Sequence, residues 1–226
     1  MLGTIVNSLT IIIGAAIGML FKKGIKEGYK NTIMDGIGLS VLVIGISNAL
    51  EFENLVVVIV SIVIGSIIGE LIDINKRLNN LGDRLQSKFK NEEGNFSKGF
   101  VTASLVYCVG AMAIVGAIQS GLTGNHQTLY AKAVLDGITA IIFASTLGIG
   151  VMFSSLAVFL YQGTITIFAS SLSSILTEIA INEISSVGGI LIIAIGINLL
   201  GLKEIKIANM LPAIIIPPVY YFLLSL

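Results

Sequence analysis

One cysteine, one histidine and three prolines in 226 residues leave little material for disulfide, metal or acid–base chemistry. Cys108 lies inside an apolar run, so no disulfide can form within the chain, and a lone buried thiol ordinarily serves packing. Cys108 and His126 stand at opposite ends of one span, too far apart to act as nucleophile and base. There is no P-loop, dinucleotide fingerprint or metal-ligand cluster. An enzyme is not expected, nor any cofactor beyond a sodium ion or proton acting as a coupling ion. Charge is scarce too: Asp, Glu, Lys and Arg make up 12% of the chain, against about 25% in soluble domains. The formal net charge is zero, which argues against a nucleic-acid partner, because phosphate binding needs a basic surface.

What fills the chain is apolar. Hydrophobic residues make up 55% and the mean hydropathy is +0.97, values that belong to an all-α integral membrane protein in a lipid bilayer. A helical span needs roughly 20 apolar residues. Such runs occupy 1–21, 32–50, 54–72, 99–122, 131–149, 150–169, 186–202 and 207–225, predicting eight spans. The alternative is seven, because the fifth and sixth runs join at 148–150 without a charged loop. Lys22, Lys23, Lys26 and Lys30 follow the first run; Lys76, Arg77, Arg84, Lys88, Lys90 and Lys98 follow the third; Lys203 and Lys206 separate the last two. The other connections carry Glu51, Glu53, His126, Glu178 and Glu183. By the positive-inside rule the basic connections are cytoplasmic and both termini face outward. The first run lacks a preceding basic residue or a cleavage site and reads as a retained span rather than a signal peptide.

A repeat organises these spans. Tyr29, Asp35, Gly36 and Ile37 recur at identical spacing as Tyr130, Asp136, Gly137 and Ile138. The loop before the first copy holds four lysines, whereas its counterpart, Gly121 to Tyr130, holds none. The copies are therefore expected in opposite orientations, as an inverted three-plus-three repeat of the kind found in secondary transporters. One membrane domain, 1–226, divides into repeat one at 1–74, a cytoplasmic basic amphipathic linker at 75–98, repeat two at 99–169, an outer amphipathic connector at 170–185 and two carboxy-terminal spans at 186–226. Leu78, Leu81, Leu85 and Phe89 give the linker its apolar face; Ile175, Ile179 and Ile184, with Glu178 and Glu183, pattern the connector. Gly38 and Gly45 share their spacing with Gly189 and Gly196, a weaker internal echo.

An ionisable residue inside a span is costly and marks a candidate site. Asp35 and Asp136 lead, each followed by a glycine, Gly36 or Gly137, that permits close backbone approach. The competing reading makes both aspartates caps about one turn inside their helices, near opposite membrane faces. Glu70 and Gln162 extend the polar set, Glu70 alternatively meeting Lys76 and Arg77 at the interface. Asn7, Asn48 and Asn198 are second-rank candidates, since uncharged polar groups in spans more often join helices. Gly14 with Gly18, and Gly65 with Gly69, are spaced for close helix packing, and Pro212, Pro217 and Pro218 should kink the last span.

The opening Met1-Leu-Gly-Thr-Ile-Val-Asn, the Gly14–Gly18 pair and the two Asp-Gly-Ile segments resemble the domain-of-unknown-function 554 family of small bacterial multispanning membrane proteins, over essentially the whole chain. The resemblance implies the bacterial cytoplasmic membrane and at most a transport role, with no substrate or catalytic residue assigned. The expected function is a secondary transporter of a small solute or ion, sodium- or proton-coupled, working by alternating access. A passive pore and a non-transporting scaffold or sensor are the alternatives. The glycine seams and the short chain leave a homodimer open.

Overall fold

The computed structural model describes residues 1–22, 27–86, 96–173 and 175–224, and all regular structure among them is helical. In chain order the elements are α1 (Leu2–Lys22), α2 (Glu27–Ala49), α3 (Leu55–Ile72), α4 (Ile74–Gln86), α5 (Phe96–Cys108), α6 (Ala111–Leu122), α7 (Gln127–Leu147), α8 (Gly150–Ile167), α9 (Ala169–Leu172), α10 (Glu178–Leu199), a 3₁₀ segment (Ile207–Ile215) and α11 (Ile216–Leu224). Six of these helices, together with the unit formed by the 3₁₀ segment and α11, are long and apolar enough to cross a bilayer. Helices α5 and α6 make an eighth crossing if they form one span bent by 60°.

Helix direction relates the spans to one another. Gly14 and Gly18 of α1 lie on the backbone of Gly137 and Ile141 of α7, so contact positions rise together and the two helices run parallel. After α1, α2 and α3, the chain stands on the face opposite Met1. Since α7 starts on the Met1 face, the bent α5–α6 pair stands as an eighth candidate passage beside the seven among the described residues. The neighbouring registers agree. Thr4 and Asn7 of α1 pair with Thr166 and Gln162 of α8, and Gly65 and Gly69 of α3 face Ala213 and Asn209, both antiparallel. The junction at 148–150 is a tight turn at Gly148, whose φ of 79° suits glycine.

Helices α2 and α10 form an extensive antiparallel seam. A Cβ on Gly45 would come 2.9 Å from the Gly189 carbonyl, and one on Gly196 3.0 Å from the Gly38 carbonyl. The matching seven-residue glycine spacings are thus complementary halves of one contact, which accounts for their echo by packing alone. Helix α10 is the central element, with 78% of its apolar window buried, whereas α3 has 28% buried and turns Val56, Ile59, Val63 and Ile67 outward as a lipid-facing surface.

The connector expected at 170–185 is shorter than that. After α9 the chain turns, Thr177 caps α10 by accepting the Ala180 N–H, and Ile179, Glu183 and Ile184 already belong to the span. Glu183 is fully buried: its Oε1 accepts the Asn54 N–H at 2.6 Å and the Tyr221 hydroxyl at 3.4 Å, joining α10 to the start of α3 and to α11. Glu183→Leu should cost about 1–3 kcal/mol by leaving the Asn54 amide without its acceptor. Denaturant unfolding in detergent would show it, with Glu183→Gln substantially milder. The basic linker is helical in α4, which Ser97 joins to α5 by donating to the Leu78 carbonyl at 3.3 Å. The side chains of Leu81 and Leu85, and Lys23, Lys26, Lys88, Phe89 and Lys90 altogether, lie outside the described residues.

Candidate functional site

Asp136 does not sit at a helix end. Helix α7 begins at Gln127, four residues before the predicted span, and nine residues at 1.5 Å each put Asp136 about 13 Å along it, beyond reach of the amino-terminal dipole. The cap reading therefore fails for this aspartate. The same correction applies to the start of α2, which begins no later than Glu27, eight residues before Asp35.

Asp136 is 5% exposed, and its carboxylate takes one partner from its own helix and one from α1. Lys132, one turn earlier on α7 and 6% exposed, places its ammonium 3.0 Å from Oδ1. Asn7 of α1 donates from Nδ2 to Oδ2 at 3.0 Å and makes a longer contact of 3.4 Å to Oε1 of Gln162 on α8. Thr4 and Thr166 meet one turn nearer the Met1 face, at 3.5 Å. The glycines make this convergence possible: Gly14 and Gly18 bring α1 onto α7, and Gly137, next to Asp136, accepts Thr10 of α1 where a Cβ would stand 3.2 Å away. Asn7 and Gln162 each lie five residues, about 8 Å, from the Met1-face ends of their helices, so the cluster is well inside a hydrocarbon core about 30 Å thick.

Two polar atoms of this cluster have no partner. Asn7 Oδ1 and Gln162 Nε2 are fully buried and unbonded, one an acceptor and the other a donor. Buried polar atoms are ordinarily satisfied, because each left bare costs about 1–3 kcal/mol. An acceptor and a donor beside an ion pair of zero net charge can receive water, a proton carrier or a small polar solute.

The remaining predicted residues lie elsewhere. Asp35 is exposed on α2, and Gly36 has nothing within 4 Å of a built Cβ, so the two repeated aspartates do not share a site. Asn48 lies near Gly110, at the break between α5 and α6, where a glycine Cβ would be 3.6 Å from its Nδ2. On the basic face Glu70 pairs with Lys206 at 2.7 Å and accepts from Asn209 Nδ2 at 2.6 Å. That carboxylate holds the Lys206 ammonium above the usual lysine range. Asn198 clasps Ile205, accepting its N–H at 2.8 Å and donating to its carbonyl at 2.9 Å, as a structural clamp. Sequence reasoning missed Lys132. Its signal was available: a lone lysine in an apolar run, four residues before a repeated aspartate, is spaced for an ion pair on one helix face. The first copy has Asn31 at the equivalent place.

The chain is similar to proteins whose activities are themselves unassigned. It is 39% identical to the "Uncharacterized membrane protein YdfK" of Bacillus subtilis (strain 168), over 99% of this chain and 97% of the relative. It is 29% identical to the "Uncharacterized protein YqgA" of Escherichia coli (strain K12), over 95% and 94% of the respective chains. No solved structure matches it. A family model described as "Protein of unknown function (DUF554)" matches residues 2–222, and this all-helical membrane protein belongs to that family.

Proposed function

We propose that this protein is a secondary transporter of a small solute or ion whose coupling step is the opening and closing of the Lys132–Asp136 pair. The observation that carries this reading is the buried ion pair itself, held by the Asn7 amide of α1 and flanked by an unpartnered donor and acceptor. A charge pair at this depth is expensive to maintain, and charges inside membrane bundles cluster on ion and proton pathways. Protons suit the site better than sodium. The ammonium of Lys132 already occupies the cation's position at Asp136 Oδ1, so sodium would have to displace it, whereas a proton on Asp136 simply releases the lysine. The bent α5–α6 span, broken at Gly110 with a φ of 121°, supplies half-helix ends within the membrane of the kind transporters use. Alternating access would rock α1, α7 and α8 against the α2–α10 unit. The lysine-rich face would be cytoplasmic, both termini outside.

The test is the unfolding midpoint of purified protein across pH and in sodium, potassium or lithium, for wild type and Asp136→Asn. A ligand bound only by the native state stabilises it by RT ln(1 + [L]/Kd). A pH-dependent shift in wild type, absent from Asp136→Asn, supports proton coupling; a saturable sodium shift redirects it to sodium. Identical profiles in both proteins would reduce the cluster to helix packing and favour the scaffold reading.

A further inference from the structure

Helix α5 carries buried hydroxyls that line up between the basic face and the Asp136 cluster. A cavity of about 710 Å³ opens on that face between α4, the first two turns of α5, the end of α10 and the loop leading to the 3₁₀ segment, and it reaches Val101 and Thr102 of α5. Three residues beyond Val101, Ser104 Oγ is buried with no hydrogen-bond partner, and three residues further the Tyr107 hydroxyl is likewise buried and unbonded. Residues three apart are neighbours on a helix surface, so each step advances about 4.5 Å into the membrane.

Tyr107 ends this line beside Asp136. Gly99 of α5 lies against the Leu147 carbonyl at the end of α7, where a Cβ would stand 2.9 Å away, so α5 starts next to that end on the basic face. Tyr107 is fully buried, and its ring stacks on Phe143 of α7 with centroids 6.2 Å apart and planes at 19°. Its hydroxyl lies beside Thr139 and within electrostatic reach of Asp136. Thr139 directs its own proton to the Leu135 and Asp136 carbonyls, at 2.9 and 3.0 Å, leaving none for Tyr107. The other titratable groups here are Lys132 of α7, Cys108 of α5 and Tyr161 of α8. A buried tyrosine hydroxyl ordinarily finds a partner, and buried polar atoms without a protein partner are where internal water is held.

We infer, on the proton-coupled reading above, that Ser104 and Tyr107 hold the water chain through which Asp136 exchanges its proton with the basic face. A proton leaving Asp136 passes along hydrogen bonds whose members each accept one proton and release another. Both hydroxyls therefore end unchanged, and water in the cavity carries the charge away.

Two measurements on the full chain test this route. In a Cys108→Ser background, Ser104→Cys is labelled with methanethiosulfonate ethylammonium and compared with Leu105→Cys, a buried neighbour off the line. Cysteine at 104 should react at least about tenfold faster, as a hydrated position does over one reached only by local unfolding. Tyr107→Phe keeps the stack on Phe143 and removes an unbonded hydroxyl, so it should be at least as stable as wild type. Its proton flux in reconstituted vesicles, read with an internal pH dye, should fall about a hundredfold, the lower end for loss of a positioned proton-transfer group, while the pH-dependent unfolding midpoint that reports Asp136 persists. Equal labelling at 104 and 105, or wild-type flux in Tyr107→Phe with that midpoint shift intact, overturns the route and leaves coupling at Asp136 standing. A midpoint profile alike in wild type and Asp136→Asn overturns the coupling reading itself, and the route falls with it.

Discussion

Lys132→Met is expected to destabilise the protein by about 3–5 kcal/mol, because it leaves the Asp136 carboxylate buried without its countercharge. Asp136→Leu should do comparable damage by stranding Lys132 and removing the acceptor of Asn7 Nδ2. The double variant Lys132→Met/Asp136→Leu should recover most of that loss, since replacing both members of a buried pair by apolar groups is often close to neutral. Its transport should nevertheless be abolished. Stability and function thus separate: reversible unfolding in mixed micelles reports the first, and proton flux into vesicles of reconstituted protein reports the second. A single Lys132→Met variant as stable as wild type would show that the pair is not held as the structure places it. A double variant that restores both stability and flux would leave the pair with a packing role alone.

The second large effect concerns α2, where two glycines ten residues or fewer apart should respond oppositely. In Gly45→Val the new Cβ would stand 2.6 Å from the Ile193 nitrogen and 2.9 Å from the Gly189 carbonyl, both backbone atoms of the central helix. No side-chain rotation relieves such a contact, so α2 must move off α10, opening the seam at Gly38 and Gly196 as well. The expected cost is at least about 1–3 kcal/mol, the scale of ordinary overpacking. Gly36→Ala should be harmless or stabilise by up to about 1 kcal/mol, because nothing lies within 4 Å and alanine favours the helix. Thermal aggregation of detergent-purified variants distinguishes the two. Equal behaviour would contradict the α2–α10 register.

The repeat shows how far sequence reasoning reached. Tyr29, Asp35 and Gly36 match Tyr130, Asp136 and Gly137 in spacing. Yet only Asp136 is buried at a junction of helices, while Asp35 is exposed. The difference lies in partners the motif does not encode: α1 covers α7 through Gly14 and Gly18, whereas α10 covers α2 on another side, through Gly38 and Gly45. Asn7 and Gln162 were visible as polar residues in apolar runs, but Asn7 reaches Asp136 across 129 residues and Gln162 across 155, beyond any local pattern. Glu183 was misplaced for a related reason. Its acidic neighbourhood resembles a surface connector, and only the packing of α3 and α11 around α10 buries it.

Hydropathy, charge distribution and glycine spacing by themselves determined that the chain is a helical bundle crossing a membrane, where its basic connections gather and which helices can pack closely. These follow from properties that each segment carries alone: apolar length against bilayer thickness, loop charge, and the missing Cβ. The tertiary structure alone decided which polar residues meet. The Lys132–Asp136 pair is local to α7, but asparagine and glutamine join it because α1 is brought onto α7 and α8, and the 3.0 Å bond from Asn7 to Asp136 depends on helix register that no single segment specifies.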